Sequence, residues 1–367
     1  MKKKIRILHV LSSHIYSGAE NVVCQIISMF RSDPDYEMVY CSPDGPIREA
    51  LEARQVSYVP IEKVCRREIQ RVIAEVSPNL VHAHDVRASI VCAMAAGGVG
   101  GNRLPVISHI HACFDSMTKI SAKSLSYLLF SGSFKKIFWV SESSLKHYAF
   151  SGMVRGKSQI LYNVIDPDKL KQRLEEDTAS YGYDVVFLGR FTDQKNPKRI
   201  VGILECLQKQ LQLQQEPLWQ GQFQAAMIGD GALYSSIQQM VQEKGLEQVI
   251  ALPGYQSNPY KALASAKAFL MASRYEGTPM SVLEAMALGV PVVSTATDGI
   301  ADVVKSGVTG YLEETDEKLA ERLKELLTDP KKQKSMSEAS KKQFAQTCDR
   351  KKYRQTLDTV YQENAVW

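Results

Sequence analysis

Two glutamates, Glu276 and Glu284, flank a Gly277-Thr278-Pro279 turn in the stretch RYEGTPMSVLEAMALGVPVV. A buried parallel sheet has no use for carboxylates at its rim, so the pair points to something outside the fold. The preceding run AFLMAS reads as a strand ending at Ser273. Thr278 is then the expected N-cap of a helix, with Pro279 at its first position, where the missing N–H costs nothing. The amides of Met280 and Ser281 fall in the first turn and lack intrahelical partners. Such a terminus attracts phosphate or another anion through its free N–H groups and its dipole. Carboxylates do not bind phosphate, but they accept paired hydrogen bonds from a vicinal diol. An anion flanked by polyols on both sides describes a nucleoside diphosphate sugar. Taken singly, Glu276 also reads as a solvated loop residue and Glu284 as a surface helix residue.

Cations occur at a second strand end. The run VVFLGR closes on Gly189-Arg190, and Asn196-Pro197 in FTDQKNPKRI marks a helix start. Arg190 and Lys195 therefore flank a loop on the side where open α/β sheets bind ligands. Two cations there suit a diphosphate and its developing charge as a leaving group. The loops IGDGA (228–232) and LPGYQSNPY (252–260), with Gly229, Gly231 and Gly254, are candidate walls of a base pocket. In the first half, Gly18 within SSHIYSGAENVV permits close backbone approach to a ligand. VHAHD carries His82 and His84, and ISHIHACFD carries His109 and His111. Alternation puts each pair on one face, which raises a metal site. No carboxylate or cysteine has matching ligand spacing, so no metal is expected. His82, His84 and His109 read as packed or capping residues, and His111, last on its strand, as the catalytic candidate. GGVGG (97–101) reads as a turn.

The elements that must hold these residues are short β-branched runs alternating with helical patterns, the mark of βαβ units and parallel sheets. Expected strands are 5–11, 37–43, 56–61, 80–84, 105–111, 136–141 and 158–163 in the first half. In the second they are 184–190, 224–230, 249–254, 268–273 and 291–295. The polar stretch KLKQRLEEDTASYGY carries no strand pattern and places a domain boundary. The expected division is a first domain over 1–170, a linker over 171–183, a second domain over 184–345 and a helix over 346–367. A chain of 367 residues is too long for one core. Two doubly wound domains result, with a cleft between them as the natural ligand site.

Composition narrows the class. With 44% hydrophobic and 23% charged residues the chain is globular. No apolar run approaches membrane-spanning length. The start MKKKIRILHVLSSH reads as a strand rather than a signal peptide, since Arg6 and His9 interrupt its apolar part. Seven scattered cysteines without a CxxC pair argue for a reducing compartment, the cytosol by default. Residues 1–170 hold 21 Lys and Arg against 15 Asp and Glu, and the remainder holds 24 against 25. The first half is thus basic, which suits a membrane surface, a phospholipid or a nucleic acid, or is simply a basic solvent face. Within it, SAKSLSYLLFSGSFKKIF (121–138) is apolar with basic flanks and reads either as a membrane contact or as a core helix.

Together these residues resemble glycosyltransferase family 4, whose members have the GT-B fold of two facing Rossmann-like domains. The resemblance spans essentially the whole chain. It is strongest in ASRYEGTPMSVLEAMALGVPVVSTATDGIADVVKSGVTGYL, and FLGRFTDQKNP, YSGAENVV, LVHAHD, HIHACFD, LYNVID and MIGDGA follow in the family's order. The resemblance implies a hexosyltransferase-type enzyme that retains anomeric configuration. Arg190 and Lys195 would grip the donor diphosphate, Glu284 the ribose and Glu276 the transferred sugar. Backbone amides of Gly277 to Ser281 would line the sugar and phosphate sites, Gly189, Gly229 and Gly254 would border the donor, and Gly18 would leave it room. His111 would approach the reacting carbon from the opposite domain, and the C-terminal helix would cross back onto the first domain. No cofactor or obligatory metal is implied beyond the donor, whose base is expected to be uridine. The expected acceptor is a glycan or lipid-linked hydroxyl, met in the cytoplasm or at the inner face of its anionic membrane, as in surface polysaccharide or glycolipid assembly. Nucleic acid is not an expected partner. Three positions depart from the family pattern: Asp298-Gly299-Ile300-Ala301-Asp302 where two glycines and a glutamate are frequent, Lys267 where an acidic residue is common, and Gly18 alone where two glycines are often found. The alternatives are a non-catalytic nucleotide-sugar-binding subunit and a GT-B epimerase. A phosphorylase needs a cofactor-binding lysine that no position supplies.

Overall fold

The computed structural model describes residues 4–97, 103–112, 115–213 and 223–366. The GGVGG turn lies almost wholly outside the described residues. The chain divides into two units, Met1–Val164 with Asp349–Trp367, and Ile165–Cys348.

The first unit is built on seven parallel strands: β1 (Ile5–Val10), β2 (Tyr36–Pro43), β3 (Tyr58–Ile61), β4 (Leu80–Ala83), β5 (Val106–Ile110), β6 (Phe134–Trp139) and β7 (Ser158–Ile160). Their order is β3-β2-β1-β4-β5-β6-β7, so the direction of winding reverses at β1. Strands such as IRILHV are apolar on both faces because helices cover both sides of the sheet. The helix Gly18–Phe30 follows β1 and buries Val22, Val23, Ile26, Ile27 and Phe30. Its first turn is fixed by a capping box between Ser17 and Glu20.

The second unit repeats the plan with β8 (Val185–Leu188), β9 (Ala225–Ile228), β10 (Ile250–Gly254), β11 (Ala268–Met271), β12 (Val292–Ser294) and β13 (Gly310–Leu312). The order is β10-β9-β8-β11-β12-β13, with the reversal at β8. Each of the twelve expected strands has a counterpart; ten are shorter by one to three residues, β2 is one residue longer, and β6 keeps its length two residues earlier. β13 is an addition: it is only Gly310-Tyr311-Leu312, paired with β12, and its sequence carries no β-branched run. A Cβ at Gly310 would stand 2.1 Å from the Val292 carbonyl oxygen, so only glycine permits that pairing.

Two boundaries differ from the sequence expectation. The division falls after Val164, and the supposed linker holds the helix Pro167–Glu176 within the second unit. Asp166 caps that helix through the Lys169 amide, Pro167 starts it, and Leu170 is its buried anchor. One buried residue in ten leaves little pattern to read. At the other end, the helix Arg350–Asn364 packs within the first unit. Tyr36 donates to Asp358, Arg354 pairs with Asp33 and lies over the Phe30 ring, and Tyr361 is fully buried. Among the described residues no helix is long and apolar enough to cross a membrane.

Candidate functional site

The second unit gathers its charged residues at the ends of β8 and β11, neighbours at the point where the winding reverses. Ligands of doubly wound sheets bind outside strand ends at such a point. The loops leaving these strands are laced together. The Arg274 amide donates to the Gln194 carbonyl (2.8 Å), and the Gln194 side chain donates to the Tyr275 carbonyl (3.2 Å). Lys195 Nζ donates to Glu276 Oε1 at 2.6 Å. Glu276 is only 7% exposed, so the carboxylate is not a solvated loop group but half of a buried ion pair. Arg190, on the same loop as Lys195, stays exposed.

The site helix begins one residue later than its sequence suggests. Pro279, at φ −69° and ψ 128°, is the N-cap, and the helix is Met280–Leu288. Thr278 is therefore not the cap. Extended geometry at Pro279 moves the helix start past it, and no side-chain cap bond forms. The first backbone bonds run from the Val282 and Leu283 amides to the Pro279 carbonyl. The amides of Met280 and Ser281 are thus left over from the intrahelical ladder, as an anion-binding terminus requires. The helix ends on Gly289 at φ +75°, pressed against Ser337 and Lys341 of the helix Pro330–Thr347.

Glu284 lies inside this helix and is 8% exposed. Burial pushes its carboxyl up to about 7, opposed by a hydrogen bond from Tyr260 and by the charge of Arg173. The Tyr260 hydroxyl donates to Glu284 Oε1 at 3.2 Å, and the Arg173 guanidinium lies 5.6 Å from the Tyr260 ring centroid. Sequence reasoning missed both partners. Tyr260 closes the 252–260 loop, whose sequence points only to a wall of a base pocket, and Arg173 sits in the expected linker.

The glycines divide by what a side chain would meet. At Gly229, φ +143°, a Cβ would lie 2.0 Å from the Gly189 carbonyl oxygen, so these two hold the ends of β8 and β9 together. Gly299 is pinned likewise, since its Cβ would fall 1.1 Å from the Gly277 carbonyl oxygen. The Asp298–Ala301 helix therefore buttresses the Gly277-Thr278 turn from behind. At Gly18 nothing lies within 4 Å, and Gly254 (φ +76°) ends β10. Lys267 is accounted for by an ion pair with Asp184 at 2.9 Å.

At the corresponding strand ends of the first unit the carboxylate of Asp85 is taken up locally, accepting from the Ser12 amide and hydroxyl and from the Ala88 amide. Five imidazoles meet there: His9 on β1, His82 and His84 at the end of β4, His109 on β5 and His111 just beyond it. His9 Nδ1 lies 2.9 Å from His84 Nε2, and His84 Nδ1 lies 3.1 Å from His111 Nε2. His82 Nδ1 meets the Tyr361 hydroxyl at 2.7 Å. Burial pushes His9 and His111 down to about 3 and the other three well below the usual histidine range, so all five rings are neutral. His9 was legible only as an interruption of an apolar run. Ring nitrogens of His9, His82 and His84, and again of His84, His109 and His111, lie within 4.8 Å of one another, which invites a metal. The rings also pack against one another. Ring centroids of His82 and His84 are 4.0 Å apart and those of His109 and His111 are 4.3 Å apart. Both nitrogens of His84, the member common to the two groups, already face another histidine. His111 alone reaches the half-exposed rim, and its Nδ1 has no hydrogen-bond partner.

Separate family models match the two halves of the chain. The family model described as Glycosyl transferases group 1 matches residues 168–343, and that of Glycosyltransferase Family 4 matches residues 16–169. The chain is 24% identical over 311 residues to the N-acetyl-alpha-D-glucosaminyl L-malate synthase of Bacillus anthracis, covering 83% of this chain and 80% of that one. It is 26% identical over 319 residues to the lipopolysaccharide 1,6-galactosyltransferase of Salmonella typhimurium, covering 81% and 82%. Among solved structures, Anabaena Alr3699/HepE in complex with UDP-glucose superposes with a TM-score of 0.81 at 19% identity, over 98% of this chain and all of that one.

Proposed function

Because the chain belongs to glycosyltransferase family 4 and has the GT-B fold, we propose that it moves a sugar from a nucleoside diphosphate sugar to a hydroxyl of a glycan or lipid-linked acceptor, with retention of anomeric configuration. The observation that carries this reading is the buried Lys195–Glu276 pair beside a free helix start, with the buried Glu284 about one turn further in. Few ligands need a cation, free amides and two sequestered carboxylates in that order.

In this reading Arg190, Lys195 and the Met280 and Ser281 amides take the diphosphate, and their positive charge stabilises it as it leaves. Glu276, aligned by Lys195, accepts hydrogen bonds from hydroxyls of the transferred sugar. Glu284 accepts them from the ribose diol, for which it must be ionised. In the first unit, Gly18, with open space beside it, and His111, neutral and with Nδ1 unengaged, are the candidate ligand contacts. The acceptor oxygen bonds to the anomeric carbon on the face from which the diphosphate departs. The carbon–oxygen bond to phosphate breaks, and a phosphate oxygen takes the acceptor's proton. The protein cations supply the charge that a metal would otherwise bring. The UDP-glucose complex of the Anabaena protein supports uridine as the base, and the Salmonella relative supports a glycan of surface polysaccharide as acceptor. The basic charge of residues 1–170 supports work at the inner, anionic face of the cytoplasmic membrane.

A panel of nucleotide sugars, screened for thermal stabilisation, identifies the donor, and NMR of the product reports its anomer. The reading expects a UDP sugar to stabilise the protein and the product to keep the donor's configuration. An inverted product contradicts the mechanism, and no stabilisation by any nucleotide sugar contradicts the donor.

A further inference from the structure

The helix Ala122–Ser131 is apolar on both sides: Tyr127, Leu128 and Phe130 pack on the core, and two leucines point away from it. A helix on a globular protein buries its apolar stripe and shows water its polar one. Here Ser124 and Tyr127 face inward, with Ser124 Oγ donating to the Lys119 carbonyl (2.8 Å) and the Tyr127 hydroxyl sharing a 2.7 Å hydrogen bond with Ser108. Leu125 and Leu129, one turn apart, point outward with 48% and 78% of their surfaces exposed. Ile120, just before the helix, is 75% exposed. Met153 is 72% exposed, on the short helix Ser151–Val154 that packs against this one. The helix is well made all the same. Ser121 caps its start, and Lys157 Nζ donates to the Gly132 and Phe134 carbonyls just past its end. The outward leucines are thus a fixed feature of a folded helix.

The charge around them is one-sided. Residues 116–157 hold six lysines and one arginine against a single carboxylate, Glu142. Exposed Lys119 and Lys123 bracket Ile120 at the start of the helix, and exposed Lys135, Arg155 and Lys157 surround its end. Apolar side chains ringed by cations match the boundary of an anionic bilayer, where the apolar groups enter the acyl region and the cations meet phosphates. A second copy of the chain does not match, because pairing this face with itself would oppose two basic rims.

We propose that the face formed by Ile120, Leu125, Leu129 and Met153, with Lys119 and Lys123 beside it, docks the first unit on an anionic phospholipid bilayer. The proposal rests on the lipid-linked acceptor reading above, since docking would hold the enzyme where such acceptors lie. Apolar insertion and charge act together, as stable anchoring by weak elements requires.

Flotation with vesicles tests it on the full chain, using phosphatidylcholine alone and an equimolar mixture with phosphatidylglycerol. The wild type is expected to float with the mixed vesicles only and to be released as salt rises. Leu125→Ser combined with Leu129→Ser, and separately Lys119→Glu combined with Lys123→Glu, should each reduce the bound fraction about tenfold or more. All four side chains changed are at the surface, so these variants keep their thermal unfolding midpoint and their hydrolysis of donor in solution. Equal flotation on both vesicle types, undiminished flotation of the variants, or a wild-type dimer that the leucine variant dissociates overturns the docking face. Loss of donor hydrolysis in the wild type itself would instead sink the glycosyl-transfer reading, so the two failures are told apart.

Discussion

In the first unit the ends of β1, β4 and β5 carry five neutral histidines, whereas in the second the ends of β8 and β11 lead to Arg190, Lys195 and Glu276. The two sheets share one winding order around their first strand. The frame is therefore common, and the difference lies in what each rim is asked to keep out of water. The second unit sequesters charge in pairs, each carboxylate facing a donor: Lys195 for Glu276 and Tyr260 for Glu284. The first unit sequesters polar but uncharged rings, joined through His84 to His9 and His111, while both nitrogens of His109 have no hydrogen-bond partner among the described residues. The second unit's rim of charges suits a charged, polyhydroxylated donor.

The contrast breaks most visibly at the leaving-group end. Lys195→Met removes the cation and strands Glu276 in the interior, so kcat should fall by roughly a thousandfold. Steady-state kinetics with the identified donor reads this directly, and a change in KM alone would assign Lys195 to binding only.

Acidification separates the units next. The histidines of the first unit have folded pKa values below the unfolded 6.5, so their stability contribution is present above that value and is lost as pH falls toward about 3. Each could forfeit about 1.4 kcal/mol per pH unit below 6.5, which across five rings makes several kcal/mol by pH 5.5. Hydrogen exchange in peptides covering β4 and β5 should accelerate accordingly between pH 7 and 5.5, an interval in which β8 and β11 change less.

Glu284 has the opposite sign. Its folded value, about 7, lies above that of an unfolded glutamate, so its stability contribution is full below about 4.5 and is lost as pH rises through 7. Glu284→Gln is accordingly expected to stabilise the second unit at pH 8, by about 2 kcal/mol, while weakening donor binding at least about tenfold through loss of the diol acceptor. Denaturant melts and calorimetric titration measure the two halves of that trade. A smaller effect belongs to Tyr260→Phe. Without its hydroxyl the Glu284 carboxyl rises further, so donor affinity should begin to fall at a higher pH than in the wild type, by a few-fold near pH 7.

The same contrast explains what the sequence made legible. Twelve strands stood out because buried parallel strands are continuous apolar runs. β13 did not, because a three-residue strand admitted by the absence of a side chain at Gly310 has no pattern to show. Glu276 and Glu284 were visible as carboxylates at improbable places, and Lys195 as a cation at a strand end. Their burial was invisible, as were the partners that burial demands. Tyr260 reaches Glu284 from 24 residues away, across helix packing that local spacing does not encode. The Thr278 cap failed on one backbone angle at Pro279. His9 joined the histidine stack through register, being paired with His82 across β1 and β4.

The most direct test of the donor reading is release of nucleoside diphosphate from UDP sugars by the wild type and by Glu276→Ala, with and without an acceptor glycan. The wild type should release UDP from one sugar donor in preference to others, faster with acceptor, and Glu276→Ala should lose that release by about a thousandfold. Equal release by both proteins, or none from any donor by the wild type, would contradict the assignment of the second unit's rim as a reader of nucleoside diphosphate sugars.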